Sequence, residues 1–595
     1  MELLKISNPN FLDNLTNDEL IDLSNDIRKF LIESISKTGG HLASNLGVVE
    51  LTVALHKVFN SPKDKFIFDV GHQCYTHKIL TGRADSFSTL RQFKGLGGFP
   101  KLSESPHDVF ETGHASTSIS AAAGFSVANK LNNNEDDVIA IIGDGAMTGG
   151  LALEAINHFG QHDEKIIIVL NDNEMSISNN VGAMSKLLKG IRTNKRYLKT
   201  KSKVPKFVKS ALSNFLQTVK FYIEGSNIFE SLGYKYYGPV DGHDIKDLVK
   251  NLEIAKECKN SVILHIKTEK GKGYEPAIKN KVKWHGVGNY KVESGEMPTN
   301  GKKSWSKMIA ETVKEVAKNV TVVTPAMIAG SSLDIFEKNL IDVGIAEGHA
   351  ATMAAGLAIN NRKVFLPLYS TFTQRAYDNI LHDITKQNLH VVIGVDRAGI
   401  IPHDGDTHQG IFDISMFNAM PNMIITMPKD ADEAYKLLDY GFNNNEHPFT
   451  IRYPKGYVEK NHISGKISKP SWVKEMTGSD INIITYGPDV LRIQNLLTTN
   501  NISANLFNAR FIKPIDKSML DEIINNDLPT LIYETVIESG SLGQTVISYL
   551  VSKTNSVNIK LMNLKEIPLH GDVENLLKEH SLCDKSILEN IKELI

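Results

Sequence analysis

The chain has little that would staple, anchor or strongly charge it. Its 595 residues include three cysteines, Cys74, Cys258 and Cys583, too widely spaced for a disulfide framework or a zinc cluster. Neither sign of charge dominates: 66 Lys and Arg stand against 68 Asp and Glu, for a net charge of -2. The surface as a whole therefore makes no case for nucleic acid or an anionic membrane. No run reaches the roughly 18 apolar residues that a spanning helix needs. The opening MELLKISNPN lacks the basic segment and long apolar stretch of a secretion signal. Short internal repeats and low-complexity tracts are also missing. These absences exclude a disulfide scaffold and a helical membrane protein. They lead us to expect a cytoplasmic protein that binds neither nucleic acid nor membrane.

What is present is ordinary globular material, 41% apolar and 23% charged, long enough for about three or four domains. Short β-branched runs recur: VIAII (138–142), KIIIVL (165–170), SVILHI (261–266), VTVV (320–323), KVFLPL (363–368), HVVIGV (390–395), MIITM (423–427), INIITY (481–486), LPTLIY (528–533) and VNIKLM (557–562). Each is apolar almost throughout, as a strand buried on both faces would be. Helix-like segments such as LALEAINHFG (151–160) alternate with them. The pattern predicts an α/β fold of three domains, each a mostly parallel sheet flanked by helices. Polar stretches at 276–304 and 455–472 set the expected domains at 1–303, 304–465 and 466–595. Residues 186–220 carry many Lys and Arg and no acid; they read either as a solvated insertion over a site or as an anion-binding surface.

One motif carries clear chemistry. The run VIAII leads into GDGAMTGG (143–150), and Asn173 closes the next run twenty-nine residues after Asp144. In a parallel sheet both would leave the carboxyl edge, where α/β sheets bind ligands. The glycines admit phosphate close to the backbone, and the following helix aims N–H groups at it. Asp144 and Asn173 are hard oxygen ligands which, with phosphate oxygens, suit Mg²⁺. A second candidate is Glu347 in DVGIAEGHAATMAAGLA (342–358), where a strand gives way to an alanine-rich helix. It reads either as a solvated helix-capping carboxylate or as a buried functional one.

The GDG-to-Asn arrangement resembles the thiamine diphosphate signature of transketolase and pyruvate decarboxylase families. There the Asp, the Asn and a carbonyl two residues further on, here that of Met175, hold Mg²⁺. Further stretches are similar to the 1-deoxy-D-xylulose-5-phosphate synthase family: GGHLASNLGVVELT (39–52), DVGHQCYTHKILTGR (69–83), TGHASTSIS (112–120), LNDNEMSISNNVGAMS (170–185), GKGYEPA (271–277), TPAM (324–327), YSTFTQRAYD (369–378) and DGDTHQGIFD (404–413). The resemblance spans essentially the whole chain and implies a transketolase-like fold. It implies decarboxylating condensation of pyruvate with glyceraldehyde 3-phosphate, for isoprenoid, thiamine and pyridoxal synthesis, with thiamine diphosphate and Mg²⁺, in a homodimer. It also implies roles. Glu347 would activate the cofactor's pyrimidine and Phe372 would stack on it. His72, Gly113, His114, Ala115, Gly145, Ala146, Asn173 and Tyr274 would line the cofactor. His41, His285, Asp404 and His408 would surround the reacting carbons, and Tyr369, Arg375 and Arg452 would hold the substrate phosphate. Pro402 and His403 stand where Gly-Ala is usual, adding a titratable ring beside the expected aldehyde site.

Each assignment has a plainer counterpart. His41 could only pack in a turn, His408 could be a structural histidine, Tyr369 could be strand core, and Arg452 could pair with a core carboxylate. Two other functions fit parts of the pattern: a transketolase-type ketol transfer without CO₂ release, and a catalytically silent regulatory paralogue.

Overall fold

The computed structural model describes residues 2–173, 175, 181–183, 186, 228–298, 301–458, 465–554 and 557–595. Of the basic stretch 186–220 only Lys186 is among them, so both readings of that stretch lie outside the described residues. The chain divides into two compact units: Met1–Arg91 with Gly95–Pro298, and Gln92–Lys94 with Thr299–Ile595.

The first unit is built on five parallel strands, β1 (Lys65–Phe68), β2 (Val138–Gly143), β3 (Ile167–Asp172), β4 (Lys235–Asp241) and β5 (Val262–Lys267), in the order β1-β2-β3-β5-β4. The inner strands are apolar without alternation because both faces are covered. Ile139, Ile141 and Val169 enter one core, with α1 (Asn17–Thr38), α2 (Val49–Val58) and α5 (Ile245–Glu257) over it. Ala140, Ile142 and Ile168 enter the other, under α3 (Ser118–Leu131) and α4 (Gly150–Phe159). The longest helix, α1, starts at a reciprocal cap: Thr16 Oγ1 accepts from the Glu19 N–H, and Glu19 Oε2 accepts from the Thr16 N–H. Leu20, Leu23, Ile27, Leu31 and Ile35 form its buried stripe.

The second unit holds a small ribbon, β6 (Lys303–Ser304) with β13 (Tyr457–Val458), and two larger sheets. One contains β7 (Thr321–Thr324), β8 (Leu340–Asp342), β9 (Val364–Tyr369), β10 (Val392–Asp396), β11 (Ile424–Thr426), β12 (Phe449–Tyr453) and β17 (Phe511–Lys513), in the order β17-β11-β12-β10-β9-β7-β8. All its pairings are parallel except that of β17 with β11. The other contains β14 (Val473–Met476), β15 (Ile481–Thr485), β16 (Ala504–Asn508), β18 (Thr530–Ile537) and β19 (Ile559–Leu564), with β14 as an antiparallel edge. The fold is thus α/β with mostly parallel sheets, as the sequence pattern implies. The compact units are coarser than the expected division at 465. That division falls between the two sheets but does not separate compact bodies. β17 comes from the later segment yet extends the earlier sheet, and Ile425, Ile484, Phe507 and Ile532 share one core. Helix α6 (Trp305–Val316) opens this unit, α7 (Glu347–Ile359) lays Ala350, Ala351, Ala354 and Ala355 into the core, and α8 (Ala431–Asn443) follows β11.

Candidate active site

In the first unit the site grows from the carboxyl ends of β2 and β3, which are hydrogen-bonded neighbours. The Asp144 N–H donates to the Asn171 carbonyl at 3.1 Å, and its carboxylate accepts from the N–H groups of Gly145 and Asn173. Asn173 Oδ1 accepts from the Met175 N–H at 3.2 Å, which curls the turn after β3. Asp144 and Asp172 are both buried. Desolvation and the Asp172 carboxylate beside it push Asp144 well above the usual carboxylate range. The Asp144 carboxylate and the Asn173 amide oxygen are hard oxygen donors of the kind Mg²⁺ takes, and a dication would offset the charge of Asp144 and of Asp172 behind it. Lys270, which the sequence reading passed over, is 3% exposed. Burial lowers its ammonium to about 8, against the pull of Asp144.

The turn 112–118 lies against the GDG turn. Ser116 Oγ donates to the Ala146 carbonyl at 2.7 Å. A Cβ on Gly149 would stand 2.2 Å from that hydroxyl, so only glycine permits the approach. The buried carboxylate of Asp69 accepts from the Ser116 and Ser118 N–H groups at 2.8 and 3.1 Å, fixing the start of α3. The Gly113–Ala115 segment thus runs into a turn that touches the Gly145–Ala146 turn.

Three expected histidines also meet. Ring centroids are 5.3 Å apart for His41 and His72, 5.6 Å for His41 and His285, and 5.1 Å for His72 and His285. Asn45 ties their loops together, its Nδ2 donating to the carbonyls of His41 at 2.6 Å and His72 at 2.8 Å. Ser44 Oγ lies 3.3 Å from His285 Nδ1. Tyr274 is placed apart from this cluster. Its hydroxyl donates to the Val292 carbonyl at 2.8 Å and its ring packs edge-on to Trp284. It lines a cleft of about 560 Å³ with Arg28, Glu50 and Lys272.

In the second unit Glu347 is the first residue of α7 and 5% exposed. Burial raises its carboxyl above the ordinary value, with Arg375 pulling the other way. It is therefore not a solvated cap. Tyr369 and Phe372 stack with centroids 5.7 Å apart, and His408 meets the Phe372 ring edge-on at the same distance. Thr407 Oγ1 lies 2.7 Å from His408 Nδ1, and Lys455 Nζ lies 3.3 Å from Asp404 Oδ2. His403 adopts φ 72° and its N–H donates to the Gly571 carbonyl.

Of the two arginines that the resemblance gave to the substrate phosphate, Arg452 is turned into the core and Arg375 faces Glu347. Arg452 is 1% exposed, with Nε and Nη2 on Asp413 at 2.5 and 3.2 Å. It sits on β12 with its guanidinium committed to a core carboxylate, the plainer reading of its sequence. Arg375 directs Nε to Glu347 Oε2 at 3.2 Å, so it positions the glutamate. The cations near Tyr369 and Asp404 are others. The Arg397 guanidinium lies 3.9 Å over the Tyr369 ring with 21% of its side chain exposed, and Lys455 is 37% exposed. The DRAG and YPKG segments that carry them (396–399 and 453–456) offered a signal, namely a cation just past a buried run.

Mostly parallel α/β sheets that match transketolase domain models place the chain in a class, the transketolase-like transferases that use thiamine diphosphate and a divalent metal ion. Known proteins narrow it. Residues 3–268 match the family model described as 1-deoxy-D-xylulose-5-phosphate synthase, 291–460 that of the transketolase pyrimidine binding domain, and 471–587 that of the transketolase C-terminal domain. The chain is 45% identical to the 1-deoxy-D-xylulose-5-phosphate synthase of Geobacillus sp. (strain WCH70), covering 100% of this chain and 99% of the relative. It is 46% identical to that of Macrococcus caseolyticus (strain JCSC5402), with the same coverage. The chain belongs to the 1-deoxy-D-xylulose-5-phosphate synthase family.

Proposed function

We propose that the residues described above divide the family's reaction among them. In that reaction pyruvate loses CO₂ and its remaining carbons join glyceraldehyde 3-phosphate, giving 1-deoxy-D-xylulose 5-phosphate for isoprenoid synthesis. Thiamine diphosphate, when bound, supplies the electron sink that lets a bond beside a ketone break and re-form. Asp144, Asn173 and the Met175 carbonyl would hold Mg²⁺. Gly113, His114, Ala115, Gly145 and Ala146 would cradle the diphosphate, with Lys270 offsetting its charge and His72 at its flank. Phe372 would stack on the pyrimidine, and Glu347, whose carboxyl burial shifts upward, would hold a proton against the ring. His41, His285, Asp404 and His408 would orient the carbonyl groups and deliver the proton that turns the aldehyde oxygen into a hydroxyl. Arg397 and Lys455, beside Tyr369, would take the substrate phosphate in place of Arg452 and Arg375. A cytoplasmic homodimer belongs to the same proposal, supported by the family resemblance.

The observation that supports this reading best is the buried Asp144 carboxyl beside Asp172 in the turn that Asn173 and Met175 complete, where a dication would offset the paired charge. Titrate thiamine diphosphate into the protein by calorimetry with Mg²⁺ present. Asp144→Ala should abolish retention of the cofactor; affinity equal to wild type would remove the metal assignment.

A further inference from the structure

The face of the first sheet that carries Ile142, Ile168 and Ile263 also bears a row of buried polar side chains at its carboxyl end. The row follows the strand order β2-β3-β5-β4. Asp144 comes just after β2 and Asp172 ends β3. His265 lies on β5, in register with Leu170, and Tyr236 lies on β4, in register with Ile263. The Tyr236 hydroxyl is 2.5 Å from His265 Nδ1, and His265 Nε2 is 2.9 Å from Asp172 Oδ2. The Asp172 carboxyl in turn hydrogen-bonds Asp144. A carboxylate facing an imidazole accepts, so Nε2 donates and Nδ1 is left to accept the tyrosine proton. The imidazole thus links the Asp172 carboxylate to a hydroxyl two strands away.

Stability alone does not explain this row. A buried polar chain costs desolvation that a well-packed apolar set would avoid. The backbone is also bent to bring Tyr236 within reach. β4 shifts register between Tyr237 and Val240, and Gly238 there has φ 120°. A Cβ on Gly238 would stand 2.3 Å from the His265 carbonyl oxygen.

We propose that Asp172, His265 and Tyr236 are positioning residues for the cation held by Asp144, Asn173 and Met175, so that Mg²⁺ affinity, and with it cofactor retention, is set across three strands. The proposal rests on the metal reading above. Asp172 immediately precedes Asn173, so anchoring its carboxylate on His265 fixes the strand end from which the Asn173 amide and the Met175 carbonyl depart. It also keeps a second carboxylate behind the first ligand, which strengthens the pull on a cation.

Two near-isosteric variants test it: Tyr236→Phe removes only the far hydroxyl, and Asp172→Asn removes only the charge. Measure thiamine diphosphate binding by calorimetry across a Mg²⁺ series, with thermal unfolding of the cofactor-free protein alongside. Losing an outer partner of a metal ligand costs about 10- to 100-fold in metal affinity. Each folded variant should need that much more Mg²⁺, yet keep the wild-type KM for pyruvate once Mg²⁺ is saturating. His265→Gln, whose amide can still donate to Asp172, should fall between wild type and Asp172→Asn. A wild-type Mg²⁺ dependence with only a lowered melting temperature overturns the proposal, as does failure of both near-isosteric variants to fold. If the wild-type protein retains the cofactor without Mg²⁺, the metal reading itself is what fails.

Discussion

At the scale of single residues, burial decides between roles that the sequence leaves open. Glu347 ordinarily titrates near 4.5, and burial moves it up. A raised carboxyl favours the folded chain fully below the unfolded value, and that contribution is lost as pH rises through the folded value. Glu347→Gln cannot titrate. The cofactor-free variant should therefore gain stability relative to wild type as pH climbs from about 5 to 8; a melting curve at each pH reads this, and parallel curves would contradict it. The arginines separate in the same way. Arg452→Ala would leave Asp413 buried without its partner, at a cost of about 3–5 kcal/mol of stability, read by denaturant unfolding. Lys455→Ala should leave stability nearly intact, whereas Arg397→Ala also strips buried Asp396 of its ion-pair partner and should lower stability as well. Each should raise the KM for glyceraldehyde 3-phosphate by about 10- to 150-fold, the worth of one charge-assisted contact, with pyruvate little affected. Equal losses for both substrates would return the phosphate role to other residues.

At the scale of elements, legibility follows burial. The inner strands stand out as continuous apolar runs because both faces are covered, and all ten runs read as strands are strands here. The edges do not stand out. β4 alternates exposed and buried positions and contains Gly238 and Pro239, so its residues look like a loop. β17 has three residues and completes a sheet begun about 190 residues earlier at β7, a pairing no local pattern encodes. The catalytic turn was legible because GDG must follow a strand and Asn must end its neighbour. The partners around it were not: Asp69 on the 112–118 turn, Asn45 on the His72 loop and His265 on Asp172 each act across tens of residues of chain. One of these partners makes a prediction. Asp69→Ala strips two N–H groups of their acceptor at the start of α3. It should cost about 1–2 kcal/mol of stability and weaken thiamine diphosphate binding together with it. A stability loss with unchanged cofactor affinity would show that the 112–118 turn does not face the diphosphate.

At the scale of the whole molecule, three sheets of similar make serve different ends. The first bears Asp144 and Asp172 at the carboxyl ends of β2 and β3, the second unit bears Glu347 and the stacked Tyr369 and Phe372, and the third sheet shares the second's core. No helix among the described residues is long and apolar enough to cross a membrane. Family membership and these edges make one claim together: the chain condenses a decarboxylated pyruvate with a phosphorylated aldehyde. The most direct test supplies purified protein with thiamine diphosphate, Mg²⁺, pyruvate labelled at its carboxyl carbon and glyceraldehyde 3-phosphate, and follows the label and the sugar product by NMR. The account predicts labelled CO₂ released in step with 1-deoxy-D-xylulose 5-phosphate, and no turnover when a ketose phosphate replaces pyruvate as donor. Ketol transfer without CO₂, or tight cofactor binding with no product at all, would contradict it.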